Sequence, residues 1–461
     1  MKETVATQNY TAVEDITGLY QSNTELFLEG SPDFMNDVRG KALDDFVRQG
    51  IPSTKDENYK YTDLRPVFEG DFNVFPSYVD QEIDFLSLFK CDVPKLDTFV
   101  ILTVNGWYYQ RNRNLDLPEG VIIGSLAQAA REHPELVAQY YGKQVKTGKD
   151  PLAALNTLLA KDGLFIYVPD NIVIEKPLQV INLLRAKNDS FSTQRNLFIV
   201  GKNSQLKVVF CDHTLSKKKF VSNKLTEIYV QENAVFDFYN IQNQHNESAN
   251  LNSTFICQKA SSNIQINTAS LHGGVVRNNL EVLLNGEYAE ANVYGISLTD
   301  NKQHVDNYTH VDHAKPNCTS NQLFKNVLDE ESTGAFAGRI HVWRDAQKTV
   351  AFQRNNNVLM SANAKIDTKP QLVIDANDVK CSHGATVGRI DTEALFYLRA
   401  RGISEKEAKL LLMFAFVHEV IAQIRVKPLQ ERLDELVDKR FRGEISKCHK
   451  CMFDCNPKSL K

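Results

Sequence analysis

The stretch Asn196-Leu197-Phe198-Ile199-Val200-Gly201-Lys202-Asn203-Ser204-Gln205-Leu206-Lys207-Val208-Val209-Phe210 decides the fold. It reads as a strand, a turn at Gly201-Lys202-Asn203 and a second strand. Apolar, β-branched and aromatic residues flank residue types that tolerate left-handed backbone. The unit then returns. First strands start near Asn196, Leu225, Ser253 and Asn279, and second strands cover Leu206–Phe210, Val235–Ile241, Ile264–Ser270 and Ala289–Ile296. Glu232-Asn233-Ala234 and Asn285-Gly286-Glu287 supply later turns. The pair recurs at about 24–30 residues, within the range of solenoids and arrays. A two-layer sandwich also has short strands. The repeat, with no helical pattern from Leu178 to Ile374, favours a β-helix.

Helical patterns bracket this core. To about Gly70, Leu26, Phe27, Phe34, Val38, Ala42, Leu43 and Phe46 recur at helical intervals, and Gly50-Ile51-Pro52 stops them. Phe99–Val104 reads as a strand, Asn105-Gly106 as a turn, Ser125–Tyr141 as a helix and Leu164–Val168 as a strand. A further helix begins near Asp391, carries Leu395, Phe396 and Leu398, and ends at Gly402. Ser404-Glu405-Lys406-Glu407 is a capping box. The helix behind it turns Ala408, Leu411, Leu412, Ala415, Phe416 and Val420 inward. Leu410, Met413, Phe414, Val417 and Ile421 add apolar surface outside that stripe, so they pack a core or dock a partner. Pro428 opens the last helix, Leu429, Leu433, Leu436 and Val437 form its stripe, and Gly443 stops it. The expected division is an N-terminal helical and mixed α/β region at 1–177, a β-helix core at 178–388, a C-terminal helical domain at 389–445 and a Cys-rich tail at 446–461.

Composition narrows the function. The chain has 461 residues, 42% hydrophobic and 24% charged, which is ordinary for a globular protein. A net charge of −4 gives no electrostatic support for nucleic-acid binding. The N-terminal residues show no secretory pattern, and no apolar run reaches the length of a membrane span. A cytoplasmic location is expected, with the eight cysteines mostly reduced. Cys91, Cys211, Cys257 and Cys318 have no framework spacing and read as inert buried thiols.

Cys381-Ser382-His383 lies between an alternating run, Gln371–Val379, and the helix near Asp391, in what reads as a Gly-bearing turn. Thiolate and imidazole hold zinc and iron–sulfur centres. In extended backbone, positions i and i+2 point the same way. Two ligands cannot complete a tetrahedral site, so the rest must come from elsewhere. The plain alternative is a Cys and a His packed against the neighbouring helix.

Longer words surround this pair. They are Thr368-Lys369-Pro370 running into Cys381-Ser382-His383-Gly384-Ala385, then Asp391 to Gly402; His310-Val311-Asp312-His313; Ser320 to Lys325; Gly334 to Val342; Ala346 to Thr349; and Asn355 to Leu359. Near the start stands Glu57-Asn58-Tyr59-Lys60-Tyr61-Thr62-Asp63-Leu64. Together these words closely resemble the SufB/SufD family of iron–sulfur cluster assembly proteins. The match is strong over about Ala153–Val426 and looser before it, with Tyr59 where the family commonly has Trp. The C-S-H-G-A form resembles the SufD branch, since SufB paralogues usually carry an acidic residue after the cysteine. The resemblance implies a right-handed parallel β-helix. It places Cys381 and His383 at an interface with a SufB-like paralogue, where a transient iron–sulfur cluster is shared. It implies docking of a SufC-like ABC ATPase on the terminal helices, here through Leu410, Met413, Phe414 and Val417. The family is also linked to a reduced flavin, and the chain shows no flavin fingerprint.

Other constellations need their own reading. His304, Asp306, Tyr308, His310 and Asp312 alternate and share one strand face, with His313 on the other. Such a ladder can bind metal; stacked polar ladders also line solenoids without a ligand, the reading preferred here. Cys448, His449, Cys451 and Cys455 pack chelating spacing into the tail, where metal or cluster binding competes with a redox pair. Gly142–Asp150 has one spacer too many for a P-loop and ends in Asp150 where Ser or Thr should hold magnesium. ATP hydrolysis is therefore expected of a partner. The leading expectation is a non-enzymatic scaffold. The alternatives are a β-helix carbohydrate-active enzyme using Asp306 and Asp312, and a homodimeric interaction protein without metal chemistry.

Overall fold

The computed structural model describes residues 7–9, 13–80, 96–111, 115–216 and 218–443. Two sheets face each other across a narrow lumen. The first has 11 strands, including Ser190–Val200, Phe220–Val230, Ser248–Gln258, Val275–Leu284, His304–His313, Thr333–Val342 and Lys365–Ile374. The second has 10, running from Phe99–Val104 and Leu178–Leu184 to Thr349–Leu359 and Val379–Gly388. The chain alternates between them, and each strand pairs in parallel with the one two before it, as Val221 with Ala249 and Val235 with Asn263. This is a parallel β-helix. A rung consumes between 26 residues, from Ala249 to Val275, and 32, from Thr333 to Lys365. The solenoid begins before residue 178, because Phe99–Val104 already pairs in parallel with Leu178–Leu184.

The turns explain the sequence's punctuation. Asn171, Asn203 and Asn233 have φ of 63°, 54° and 57°, a region that asparagine tolerates. Their side chains stack, with Asn233 Nδ2 donating to Asn203 Oδ1 at 3.1 Å and Asn203 Nδ2 to Asn171 Oδ1 at 2.8 Å. At Gly286 a Cβ would lie 2.0 Å from the backbone nitrogen of Ala260, so only glycine fits between rungs.

The lumen has two halves. Phe198, Phe210, Phe236, Val282 and Phe336 fill one with apolar volume. The other is polar and hydrogen-bonded rung to rung. Lys224 Nζ donates to both oxygens of Asp212 at 2.8 Å, Asn182 donates to Asp212 at 2.8 Å, and Asn278 donates to Asn307 at 2.9 Å. This polar half corrects the strand starts expected near Asn196, Leu225, Ser253 and Asn279. The strands begin at Ser190, Phe220, Ser248 and Val275. Polar residues of these opening segments read as loop in sequence, yet Ser190, Lys224, Asn250 and Asn252 are buried, and each donates a hydrogen bond.

Helices cover the outer faces. On the first sheet lies Pro151–Leu159, buried along its whole length, with Asn156 Nδ2 donating to the carbonyls of Gln194 at 3.0 Å and Asn223 at 2.9 Å. Arg39, on the helix Asp33–Gln49, donates to the carbonyls of Leu158 and Ala160, satisfying the end of that buried helix. On the second sheet lie Glu405–Ile421 and Lys427–Phe441. Among the described residues no helix is long and apolar enough to cross a membrane.

Two helical expectations are corrected. Ser125–Tyr141 is two helices, Leu126–Glu132 and Pro134–Tyr140, because Pro134 lacks an N–H and restricts His133 before it. The early helices end at Gln49, where Gly50 takes φ of 73° and supplies the expected stop; the helical reading on to Gly70 gives way to two short 3-10 turns, Glu57–Tyr59 and Arg65–Phe68.

The word Glu57–Leu64 lies across the first sheet. Arg277 pairs with Asp306, donates to Asn279 at 2.6 Å and to the carbonyl of Asn58 at 2.8 Å, and sits 4.4 Å from the centre of the Tyr59 ring. Thr62 donates to Asp306 as well. Arg277, Asp306, Tyr59, Thr62 and Asn279 are buried, so removing one charged partner strands the other. Arg277→Met is expected to cost about 3–5 kcal/mol in urea denaturation. The same change at exposed Arg442, paired with Glu407 and Asp438, should cost about 1 kcal/mol or less.

A second prediction concerns pH. Burial, reinforced by the charge of Arg440, lowers the His272 imidazole to about 4. Its Nδ1 lies 2.6 Å from the Gln244 carbonyl oxygen. The unfolded chain takes up this proton from about pH 6.5 downward, while the folded chain does not. Stability should therefore fall as pH drops from about 6.5 towards 4. His272→Gln should flatten that slope in denaturation curves collected across this range, and an unchanged slope would refute the assignment.

Candidate functional site

Parallel stacking satisfies each rung with the next, so the last rung is left open. Lys365–Ile374 and Val379–Gly388 are the final strands of the two sheets. Ile374 and Val387 are exposed there, with Phe352 exposed on the rung behind. An uncovered edge of this kind offers free N–H and C=O groups to another chain.

Cys381 and His383 lie on this outermost rung, in regular strand and not in a turn. Neither Gly384 nor Gly388 has left-handed φ, so the glycines are not needed to shape a loop here. Cys381 stands opposite Ala351, and His383 opposite Gln353. Ala351 and Gln353 are buried, and Gln353 Nε2 donates to Gln322 Oε1 at 3.2 Å within the polar lumen. Register therefore makes His383 the end of the column Gln322, Gln353, His383. Thiol and imidazole share the lumen-side face. Cys381 is half-buried against Ile340, Val342 and Ala346. Burial pushes its thiol up, so a metal must displace the proton on ligation. His383 is exposed.

The ladder His304–Asp312 does share one outer face, as its alternation predicts, while His313 points inward to Ser320 at 2.8 Å. Its first part is structural. Asp306 is locked to Arg277 and Thr62, and His304 Nε2 lies 2.8 Å from Thr62 Oγ1. Its last part is open. His310 Nε2 lies 3.4 Å from Asp312 Oδ1, and His341 Nδ1 lies 3.1 Å from the same oxygen. Neighbouring nitrogens hold the Asp312 carboxyl down to about 2 against the opposing effect of burial, His310 most strongly. The sequence reading did not join His341 to this ladder. The signal was the rung length, which sets Asp312 directly beside His341.

The residues expected to dock an ATPase are placed differently. Leu410, Met413 and Val417 are buried against Ile241, Ala269, Ile296 and Leu323 of the second sheet, and Phe414 is half-buried. They belong to the chain's own core. Leu411 and Ala415, expected inward, are exposed, whereas Ala408 and Val420 are buried as expected. A helix apolar around most of its circumference does not reveal which stripe meets the sheet. The large apolar side chains exposed on the C-terminal helices are Phe396, Tyr397 and Leu411, with Phe396 74% exposed. The segment that nearly matched a P-loop is structural. Asp150 caps the helix behind it by accepting from Leu152 N at 3.0 Å, and it also accepts from Tyr59 Oη at 2.8 Å. Cys211, Cys257 and Cys318 are buried, as expected. Cys91, Cys448, His449, Cys451 and Cys455 lie outside the described residues. A cleft of about 560 Å³ is lined by side chains such as Glu247, Asn301, Lys302 and Glu330, and offers no aromatic wall for a flavin ring.

Comparison with known proteins adds the family. Residues 182–416 match the model of the SUF system FeS cluster assembly SufBD core domain, and residues 10–180 match the SufBD protein N-terminal region. The chain is 28% identical over 400 residues to an iron–sulfur cluster assembly SufBD family protein of Synechocystis sp., covering 85% of this chain and 87% of that one. It is 27% identical over 405 residues to the iron–sulfur cluster assembly protein SufD of Escherichia coli, covering 87% and 92%. It is 23% identical over 432 residues to SufB of Bacillus subtilis, covering 91% of each. With its β-helix, its flanking helices and a core-domain match over half its length, the chain belongs to the SufBD family and is a component of iron–sulfur cluster assembly.

Proposed function

We propose that this chain is a SufD-type, non-catalytic scaffold subunit that pairs with a SufB-like paralogue through the open end of its β-helix. One observation carries this reading. A soft ligand and an imidazole occupy the outermost rung, side by side on one face, where they supply half of a four-ligand site. The cluster is cargo, assembled between this rung and ligands of the paralogue. His383 is the more accessible ligand of the pair, because its imidazole is exposed at the open end, whereas Cys381 is half-buried and must give up a proton to ligate. The C-S-H form at 381–383 supports the SufD assignment. An ABC-type ATPase docks on the C-terminal helices through the exposed Phe396, Tyr397 and Leu411.

A carbohydrate-active reading is disfavoured by geometry. Asp306 and Asp312 are six positions apart on one strand, about 20 Å, well beyond the separation at which two carboxylates act on one glycosidic bond. Asp306 is also buried in its ion pair.

His383→Ala is expected to lower iron and sulfide in the anaerobically co-purified complex about tenfold or more, with assembly intact by gel filtration. Cys381→Ser, and loss of Cys448, Cys451 and Cys455 together, should have smaller effects. Wild-type cluster content in an assembled His383→Ala complex would sink the site. The isolated chain should bind no ATP in equilibrium dialysis. Phe396→Ser with Tyr397→Ser should abolish capture of the ATPase while leaving pairing with the paralogue; retained capture would refute the docking face.

A further inference from the structure

We propose that His310, Asp312 and His341 bind one divalent first-row transition metal on the outer face of the first sheet. The site lies on the opposite sheet from Cys381 and His383, and it does not rest on the scaffold reading.

The three donors come from two neighbouring rungs. His310 and Asp312 alternate on His304–His313, and register sets His341 beside Asp312. One ligand atom from each lies within 4.8 Å of the others. The spacings are informative. Metal–nitrogen and metal–oxygen bonds of about 2.0–2.2 Å in tetrahedral geometry put neighbouring donors about 3.3 Å apart. The nitrogens of His310 and His341 are 3.4 and 3.1 Å from Asp312 Oδ1. The His341 approach also suits a hydrogen bond, whereas the His310 approach is longer than the about 2.7–2.9 Å of a protonated imidazole on a carboxylate. His310 Nε2 is buried, and in place of a hydrogen bond it has only this longer approach.

The surroundings orient the donors. His341 Nε2 lies 3.0 Å from Asp375 Oδ2; with the proton on Nε2, this contact orients the ring and leaves the Nδ1 lone pair facing Asp312 to ligate. Without a proton or a cation between them, that lone pair would face a carboxylate oxygen at 3.1 Å. Trp343 Nε1 donates to Asp312 Oδ1 at 3.1 Å and positions the carboxylate. A cavity of about 80 Å³ beside Asp312, lined by Lys146, Glu281 and Trp343, leaves room for water to complete the coordination. Two imidazoles and one carboxylate with open positions suit zinc or ferrous iron.

The test uses the full chain with Cys448→Ser, Cys451→Ser and Cys455→Ser, so that tail thiols do not compete. Cobalt(II) alone is titrated and followed by calorimetry and by its visible ligand-field absorption. One equivalent should bind, with no thiolate charge-transfer band. Asp312→Asn and His341→Ala should weaken binding about tenfold or more, and His383→Ala should leave it unchanged. Asp375→Asn, which removes no ligand, should weaken it as well, so the test survives if a ligand variant misfolds. Zinc should raise the Tm of the parent and not of Asp312→Asn. No binding by the parent, or binding indifferent to Asp312 and His341, overturns the site.

Discussion

The structure depends on in-register parallel stacking of successive rungs. Val221 lies on Ala249, Ala249 on Val275 and Val275 on His304. Each rung supplies the backbone partners of the next. This condition lets side chains recur in columns, so a residue in one rung meets its equivalent above and below. The asparagine turn ladder and the Gln322, Gln353, His383 column both follow from it. It also leaves a problem at the end. The last rung cannot satisfy its own outward-facing backbone, and the chain places Cys381 and His383 there.

The polar half of the lumen is the second consequence. A buried lysine, aspartate and many amides are costly unless each is partnered. Stacking places equivalent amides one strand spacing apart, a separation that hydrogen-bonding side chains bridge. The Lys224–Asp212 pair is held further by Asn182. Such a column specifies register more strictly than an apolar one, because a slip would break hydrogen bonds as well as packing.

Covering the flanks uses different chemistry on the two sides. The C-terminal helices cover the second sheet mainly by apolar packing, with Arg425–Asp237 and Arg440–Asp300 pinning the ends. The N-terminal segment covers the first sheet through apolar clusters and through Arg277, Tyr59 and Thr62. Along His304–His313 the covered and open parts of one ladder consequently differ. His304 and Asp306 are consumed by folding, whereas Asp312 remains at the rim of a cavity with His310 3.4 Å from it.

By itself the sequence determined the solenoid, the places of its turns, the caps of the terminal helices and the Cys381–His383 pair. Each is a local property: left-handed residues at turns, Ser404 ahead of a helix, a thiol and an imidazole at strand spacing. The tertiary structure decided three things that local pattern does not carry. It extended the strands into polar residues, because Asn and Ser are stable inside only when the next rung supplies partners. It turned Leu410, Met413 and Val417 inward, because a helix apolar all round is oriented by the surface it meets. It joined Asp312 to His341 and Asp375, because rung lengths vary between 26 and 32 residues and only the folded register fixes which side chains stand together.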